Sequence, residues 1–187
     1  KAIEINPNSI FTYYNRAISK NKVKDYLGAI SDYSKAIEIS PNFIYAYNNR
    51  GSVKRLLKDY SGAISDYSKA IEIDPKYAKA YNSRGNVKRI LKDYPGAISD
   101  YSKAIEINPK FAKAYNNRGN IKGVLKDYPG AIFDYSKAIE INPKYTDAYI
   151  NKGRISEEMG NIKGACSNWK EASSLGDQDA KKWVEKQ

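Results

Sequence analysis

A block of 34 residues recurs along this chain, and no other feature constrains its fold as strongly. Ala78 to Phe111 (AKAYNSRGNVKRILKDYPGAISDYSKAIEINPKF) returns as Ala112 to Tyr145 with six positions changed. Related copies span Ile10 to Phe43, Ile44 to Tyr77 and, more divergently, Thr146 to Asp179. Self-similarity at a period of 20 to 50 residues marks a stacked array in which each unit meets its neighbours, not one globular core. The 187 residues therefore divide by repeat and not by domain.

Inside one unit, Tyr81, Val87, Ile90 and Leu91 recur at helical spacing, with small Ala80 and Gly85 between them. Lys92-Asp93-Tyr94 interrupts that pattern. Asp93 is placed to cap a second helix, and Pro95 suits a helical start because its missing N–H would have had no partner there. The second helix carries Ala97, Ile98, Tyr101, Ala104, Ile105 and Ile107 on one face. It stops at Asn108-Pro109, since proline disfavours helix in the residue before it. The unit reads as helix, turn, helix, loop.

These columns resemble the tetratricopeptide repeat. The early aromatic is Tyr13, Tyr47, Tyr81, Tyr115 and Tyr149, and the small residue four places on is Ala17, Gly51, Gly85, Gly119 and Gly153. The second helix supplies Ala29, Ala63, Ala97, Ala131 and Ala165, then Tyr33, Tyr67, Tyr101, Tyr135 and Trp169, then Ala36, Ala70, Ala104, Ala138 and Ala172. Pro41, Pro75, Pro109 and Pro143 close the units, with Pro7 left from a truncated one. The resemblance implies an all-α fold, a right-handed α-solenoid of stacked antiparallel helix hairpins. It divides the chain into residues 1–9 (end of a truncated repeat), 10–43, 44–77, 78–111, 112–145, a divergent 146–177, and a capping helix at 178–187. The start at KAIEINPN, midway through a unit, reads as a cut from a longer array. One column departs from the family: Arg16, Arg50, Arg84, Arg118 and Lys152 stand where leucine is usual. Their stems are expected to cover apolar surface while their heads reach water.

Composition narrows the function. Histidine is absent, which removes the commonest general base and metal ligand at neutral pH, and Cys166 is the single cysteine. Cys166 lies in an isoleucine column and is expected to be buried. No nucleophile, base and orienting group come together, and the repeated Asp and Glu are expected on solvated faces. The reading is a non-enzyme with no cofactor and no metal. The net charge of +11 is uneven: Ala78 to Phe111 holds seven basic and three acidic residues (+4), whereas Thr146 to Asp179 holds four and six (−2). Thirteen of the 17 tyrosines occupy three packing columns, so tyrosine richness is no sign of a base-stacking surface. The cytoplasm is the expected compartment, and no membrane association is implied.

The family resemblance implies an extended peptide in the groove lined by first helices. One groove column holds Phe11, Tyr45, Lys79, Lys113 and Asp147; the next holds Tyr14, Asn48, Asn82, Asn116 and Ile150. Asn49 and Asn117 belong to the third, and Asn86 and Asn120 to the fourth. The asparagines resemble the ladder of the O-linked N-acetylglucosamine transferase repeats, since an amide offers a donor and an acceptor to peptide backbone. Repeat duplication of a tolerated polar residue is the alternative. Fragments of the carboxylate clamp of chaperone adaptors are present in Lys79, Asn86, Lys113 and Asn117, but the clamp is incomplete. The candidate site is Phe11, Tyr14, Tyr45, Asn48, Asn49, Lys79, Asn82, Asn86, Lys113, Asn116, Asn117 and Asn120. The expected partner is a protein segment, extended and acidic or of mixed polarity, with self-association through the amino-terminal face a further possibility. The rivals are a basic nucleic-acid binder, using Lys54, Arg55, Lys58, Lys88, Arg89 and Lys92, and the recognition arm of a larger enzyme or secretion assembly.

Overall fold

The computed structural model describes residues 9–185; the truncated-repeat residues 1–8, with Ala2, Ile3, Ile5 and Pro7, and the last two residues of the expected capping helix lie outside them. Eleven helices and no strand occur among the described residues. They are α1 (Ile10–Lys22), α2 (Tyr26–Ile39), α3 (Ile44–Leu56), α4 (Tyr60–Ile73), α5 (Ala78–Ile90), α6 (Tyr94–Ile107), α7 (Ala112–Val124), α8 (Tyr128–Ile141), α9 (Thr146–Glu158), α10 (Ile162–Ser174) and α11 (Gln178–Glu185). The chain forms two compact units that meet in sequence between Lys92 and Asp93, the first holding α1–α5 and the second α6–α11.

The turn inside each hairpin wastes no residue. In the second repeat, Lys58 N–H donates to Arg55 O (3.0 Å) and Asp59 N–H to Lys54 O (2.9 Å), closing the end of α3 with paired return bonds. Asp59 then caps α4, its Oδ1 accepting from Gly62 N at 2.9 Å. Asp25, Asp93, Asp127 and Asn161 cap their helices in the same way. Helix α6 starts at Tyr94, so Pro95 takes the second helical place, where its missing N–H is equally harmless. The return bonds demand a left-handed residue, and Lys24, Lys58, Lys92 and Lys126 supply it with φ of 62–64°. Gly160 does so in the last hairpin.

Alanine and tyrosine form the interior, as close helix crossing requires. In the first unit, Ala17, Ala29, Ala36, Ala46 and Val53 enclose Tyr33, and Ala63, Tyr67 and Val87 form the next cluster. In the second unit, Ala97, Tyr101 and Ile121 are followed by Ala165, Trp169, Ala172 and Ala180. A Cβ added at Gly119 would stand 2.9 Å from the Tyr135 ring, so this first-helix site admits no side chain. Helix α11 covers the last hairpin with half-buried Trp183 and Val184, and Trp183 packs on Trp169 with ring centroids 5.4 Å apart. Cys166 is only partly buried, as is the whole isoleucine column of Ile30, Ile64, Ile98 and Ile132, which corrects its expected burial.

Two stability outcomes follow from this geometry. Lys58→Gly relieves a left-handed side-chain residue and should stabilise the fold by about 1 kcal/mol, read as a higher urea midpoint with unchanged slope. Gly119→Val should lower stability by about 1–3 kcal/mol through overpacking against Tyr135; circular-dichroism melts of the two variants would show opposite shifts.

Candidate functional site

Within the arginine column, Arg50 and Arg118 turn inward and do not reach for water. Arg50 packs over Tyr47, its guanidinium carbon 5.6 Å from the ring centroid. Its Nε and Nη2 donate to both oxygens of Asp66 at 2.9 and 2.7 Å, and its Nη1 donates to Ser34 Oγ at 2.8 Å. One side chain on α3 thus ties its own second helix, α4, to the preceding one, α2. Arg118 repeats the arrangement on Asp134 (2.9 and 2.7 Å) and Ser102 (3.0 Å). Arg16 grips Asp32 as well, and Arg84 donates to Ser68 at 3.0 Å. A lysine one turn on completes each charge centre: Lys20, Lys54 and Lys122 lie 3.0, 2.9 and 2.9 Å from Asp32, Asp66 and Asp134.

Two sequence readings are corrected here. Asp32, Asp66, Asp100 and Asp134 are buried, with no more than 3% exposure, and are not on solvated faces. The heads of Arg50 and Arg118 are held inside by these carboxylates, whereas Arg16 stays largely exposed while paired with Asp32. A bare buried carboxylate would be costly, so the aspartate and its cations require each other. Burial pushes the Asp32 carboxyl up, but hydrogen bonds from Arg16 and Lys20 outweigh it and hold it below the ordinary carboxylate value. The same bond to Asp32 raises Arg16.

Within each unit the first helices carry the predicted groove residues in two tiers. Phe11, Tyr45 and Lys79 in the first unit, and Lys113 and Asp147 in the second, are exposed. Asn48, Asn82 and Asn116 lie beneath them, only 4, 7 and 4% exposed, and so do not present their amides to solvent. Their neighbours link successive first helices: Asn49 Nδ2 donates to Tyr14 Oη at 2.9 Å, and Asn151 Nδ2 to Asn116 Oδ1 at 3.1 Å. Asn120 Oδ1 accepts from buried Tyr135 Oη at 2.9 Å. Asn82, Asn86 and Asn117 also have partners of their own.

Aromatic rings dominate this face in the first unit. Phe43 sits edge-on to three rings, with centroids 6.0 Å from Phe11, 5.0 Å from Tyr14 and 5.7 Å from Tyr45. Tyr45 then meets Tyr77 at 5.8 Å and 90°. Such T-shaped pairs set a positive ring edge against a negative ring face. Burial pushes the Tyr77 hydroxyl up to about 12. Sequence reading singled out Phe11, Tyr14 and Tyr45 but missed Phe43 and Tyr77, which join them. The missed signal was the aromatic that ends each repeat: Phe43, Tyr77, Phe111 and Tyr145.

Family comparison matches the tetratricopeptide repeat (TPR) at residues 12–43, 112–145 and 135–166, and the TPR repeat at 51–89 and 85–123. The chain belongs to the TPR family. No curated protein sequence matches it. Among solved structures, MamA is similar at 27% identity with a TM-score of 0.76, over 88% of this chain and 96% of MamA. YrrB, a TPR protein with an unusual peptide-binding site, is 22% identical with a TM-score of 0.72, over 100% and 96% of the two chains. The pilF protein of Pseudomonas aeruginosa is 17% identical with a TM-score of 0.83, over 100% and 86%. The fold class is all-α, a TPR solenoid of stacked helix hairpins, and a TPR array is a protein–protein interaction scaffold, generally non-catalytic. No helix among the described residues is long and apolar enough to cross a membrane.

The charge centres of this TPR array predict an asymmetry in mutagenesis. Arg50→Leu, which leaves Asp66 with Lys54 alone, should cost about 3 kcal/mol, whereas Arg50→Leu with Asp66→Leu should recover most of it in urea denaturation. For Asp32, folding lowers the pKa, so its stabilisation is complete above the unfolded value of about 3.9 and is lost as pH falls through the folded one. The stability gap between wild type and Asp32→Asn should therefore close as the pH is taken from 7 to below about 4. A gap that widened over that range would contradict the assignment.

Proposed function

We propose that the first-helix face of this TPR scaffold binds an extended peptide segment. In the first unit, the aromatic array of Phe11, Tyr14, Phe43, Tyr45 and Tyr77 takes a bulky apolar or aromatic side chain. Lys79, exposed in the same column, takes an acidic residue further along the segment. The carrying observation is that Phe11 and Tyr45 remain 67% and 49% exposed although each is edge-packed on Phe43. Rigid aromatic surface held in place by neighbours contributes to binding at little cost in side-chain entropy. YrrB, alike in fold and bearing a peptide-binding site, agrees with this reading. In the second unit, exposed Lys113 and Asp147 suit a segment of mixed polarity.

The asparagines take a different part in this proposal from a solvent-facing ladder. Asn48, Asn49 and Asn116 order the first helices, and the edges of Asn86, Asn117 and Asn120 that remain exposed contact peptide backbone. The nucleic-acid reading is weakened by the charge centres: Lys54, one of its candidate phosphate ligands, is paired with Asp66, and Lys88 has a partner of its own.

Fluorescence anisotropy with labelled ten-residue peptides, a central Trp or Phe followed by Asp residues, tests the proposal. The variant Phe11→Ala with Tyr45→Ala should weaken binding by about tenfold or more while leaving the melting temperature within about 2 °C. Unchanged affinity, or a preference for arbitrary single-stranded RNA that falls steeply with salt, would overturn it.

A further inference from the structure

The last hairpin has lost the charge centre and kept the space for it. Lys152 stands at the arginine position, Ser156 at the position of Lys20, Lys54 and Lys122, and Asn168 at that of the buried aspartate. Asn168 Nδ2 donates to Gly164 O at 2.7 Å, where Lys122 Nζ approaches Gly130 O at 3.5 Å in the preceding hairpin. The Ser156 hydroxyl turns back to Lys152 O at 2.9 Å. Ser156 does not fill the volume that the long lysine at its position occupies in the other repeats, and Lys152 lacks the planar guanidinium of the arginine it replaces. A cavity of about 370 Å³ results, with Ile132, Lys152, Ser156, Met159, Asn161 and Asn168 among its walls.

The balance of charge decides what fits. An intact centre holds Arg, Lys and Asp, a net of +1; the vacated one holds Lys152, also +1, with its internal anion gone. Among the described residues Lys152 makes no ion pair. Asn161 uses Oδ1 to accept from Gly164 N at 2.9 Å, which leaves its amide NH2 to donate. Ile132 and Met159 offer apolar wall for methylene groups. A carboxylate beside an ammonium in a partly enclosed site forms a charge-assisted bond stronger than a neutral one.

We propose that this cavity is a binding subsite for a carboxylate on a short aliphatic chain, the side chain of a glutamate in a protein partner, with Lys152 as counter-charge. The guest restores from outside the carboxylate that the earlier repeats carry within. This subsite lies in the second unit and does not rest on the aromatic face of the first.

Nitrogen–proton NMR titrations of the whole chain at low salt test it, using butyrate and N-acetylglutamate amide as carboxylate probes and butylammonium as the cationic control. Both carboxylates should give saturable shifts at the Gly164, Ser167 and Asn168 amides, and butylammonium none. Tighter binding of N-acetylglutamate amide than of butyrate indicates a peptide-borne side chain; a preference for butyrate would overturn the peptide assignment. Lys152→Met should weaken carboxylate binding by at least about fivefold. The triple variant Lys152→Arg, Ser156→Lys, Asn168→Asp rebuilds the internal centre and should abolish binding while keeping a dispersed spectrum. Shifts of the same amides by butylammonium, carboxylate binding undiminished in Lys152→Met, or no saturable shift with either carboxylate would overturn the proposal. Should the triple variant not fold, the Lys152→Met comparison decides alone.

Discussion

The rest of the structure depends on a buried arginine–aspartate pair placed where helices of successive repeats meet. In each complete centre a guanidinium spends two donors on the carboxylate of its own hairpin, and in Arg50 and Arg118 a third on the serine of the hairpin before. Planar geometry makes this possible. Lysine cannot hold a carboxylate with two parallel bonds and reach a third partner at the same time. The aspartate in turn is tolerable in the interior only because its oxygens are filled by arginine and lysine together. Apolar packing of Ala and Tyr brings the helices close, and the ion centre fixes which residues face one another.

Much of the architecture was legible in the sequence because packing imposes strict columns. Small residues at crossings, the Asp that caps each second helix and the turn before it all follow from steric and hydrogen-bonding requirements that any copy must meet. The charge centre was not legible from type alone, since arginine and aspartate ordinarily read as surface residues. Its signal was a separation: Arg16 and Asp32, Arg50 and Asp66, and Arg118 and Asp134 each stand 16 residues apart, the distance from the middle of one helix to the facing turn of the next. The depth of each asparagine column was hard to read for a related reason. Position on a first helix shows that a residue lies near the face, but one step of helical rotation separates Asn48, which is buried, from half-exposed Asn49.

Departures from the repeat carry more functional information than the repeat itself. The amino-terminal aromatics occupy columns that hold lysine and asparagine in later copies, so constant packing presents a changing surface. In the last hairpin three substitutions at one centre remove the anion and one of the two long cationic side chains, and a cavity opens beside the remaining Lys152. Both features arise where a copy abandons the common solution while keeping the alanine columns and a buried aromatic, Trp169 in the last hairpin, that hold its helices together.

The arginine bonds also bear on how the array comes apart. Separating two neighbouring hairpins breaks Arg50 from Ser34; opening one hairpin breaks Arg50 from Asp66. Neither seam is free of charged hydrogen bonds, so the 34-residue block of sequence does not coincide with an independent unit of unfolding. When nearest-neighbour coupling rivals the intrinsic stability of a repeat, a stack melts in blocks larger than one repeat. The duplicated segment is thus a unit of inheritance, and cooperativity within each compact unit belongs to the interlocked arginines.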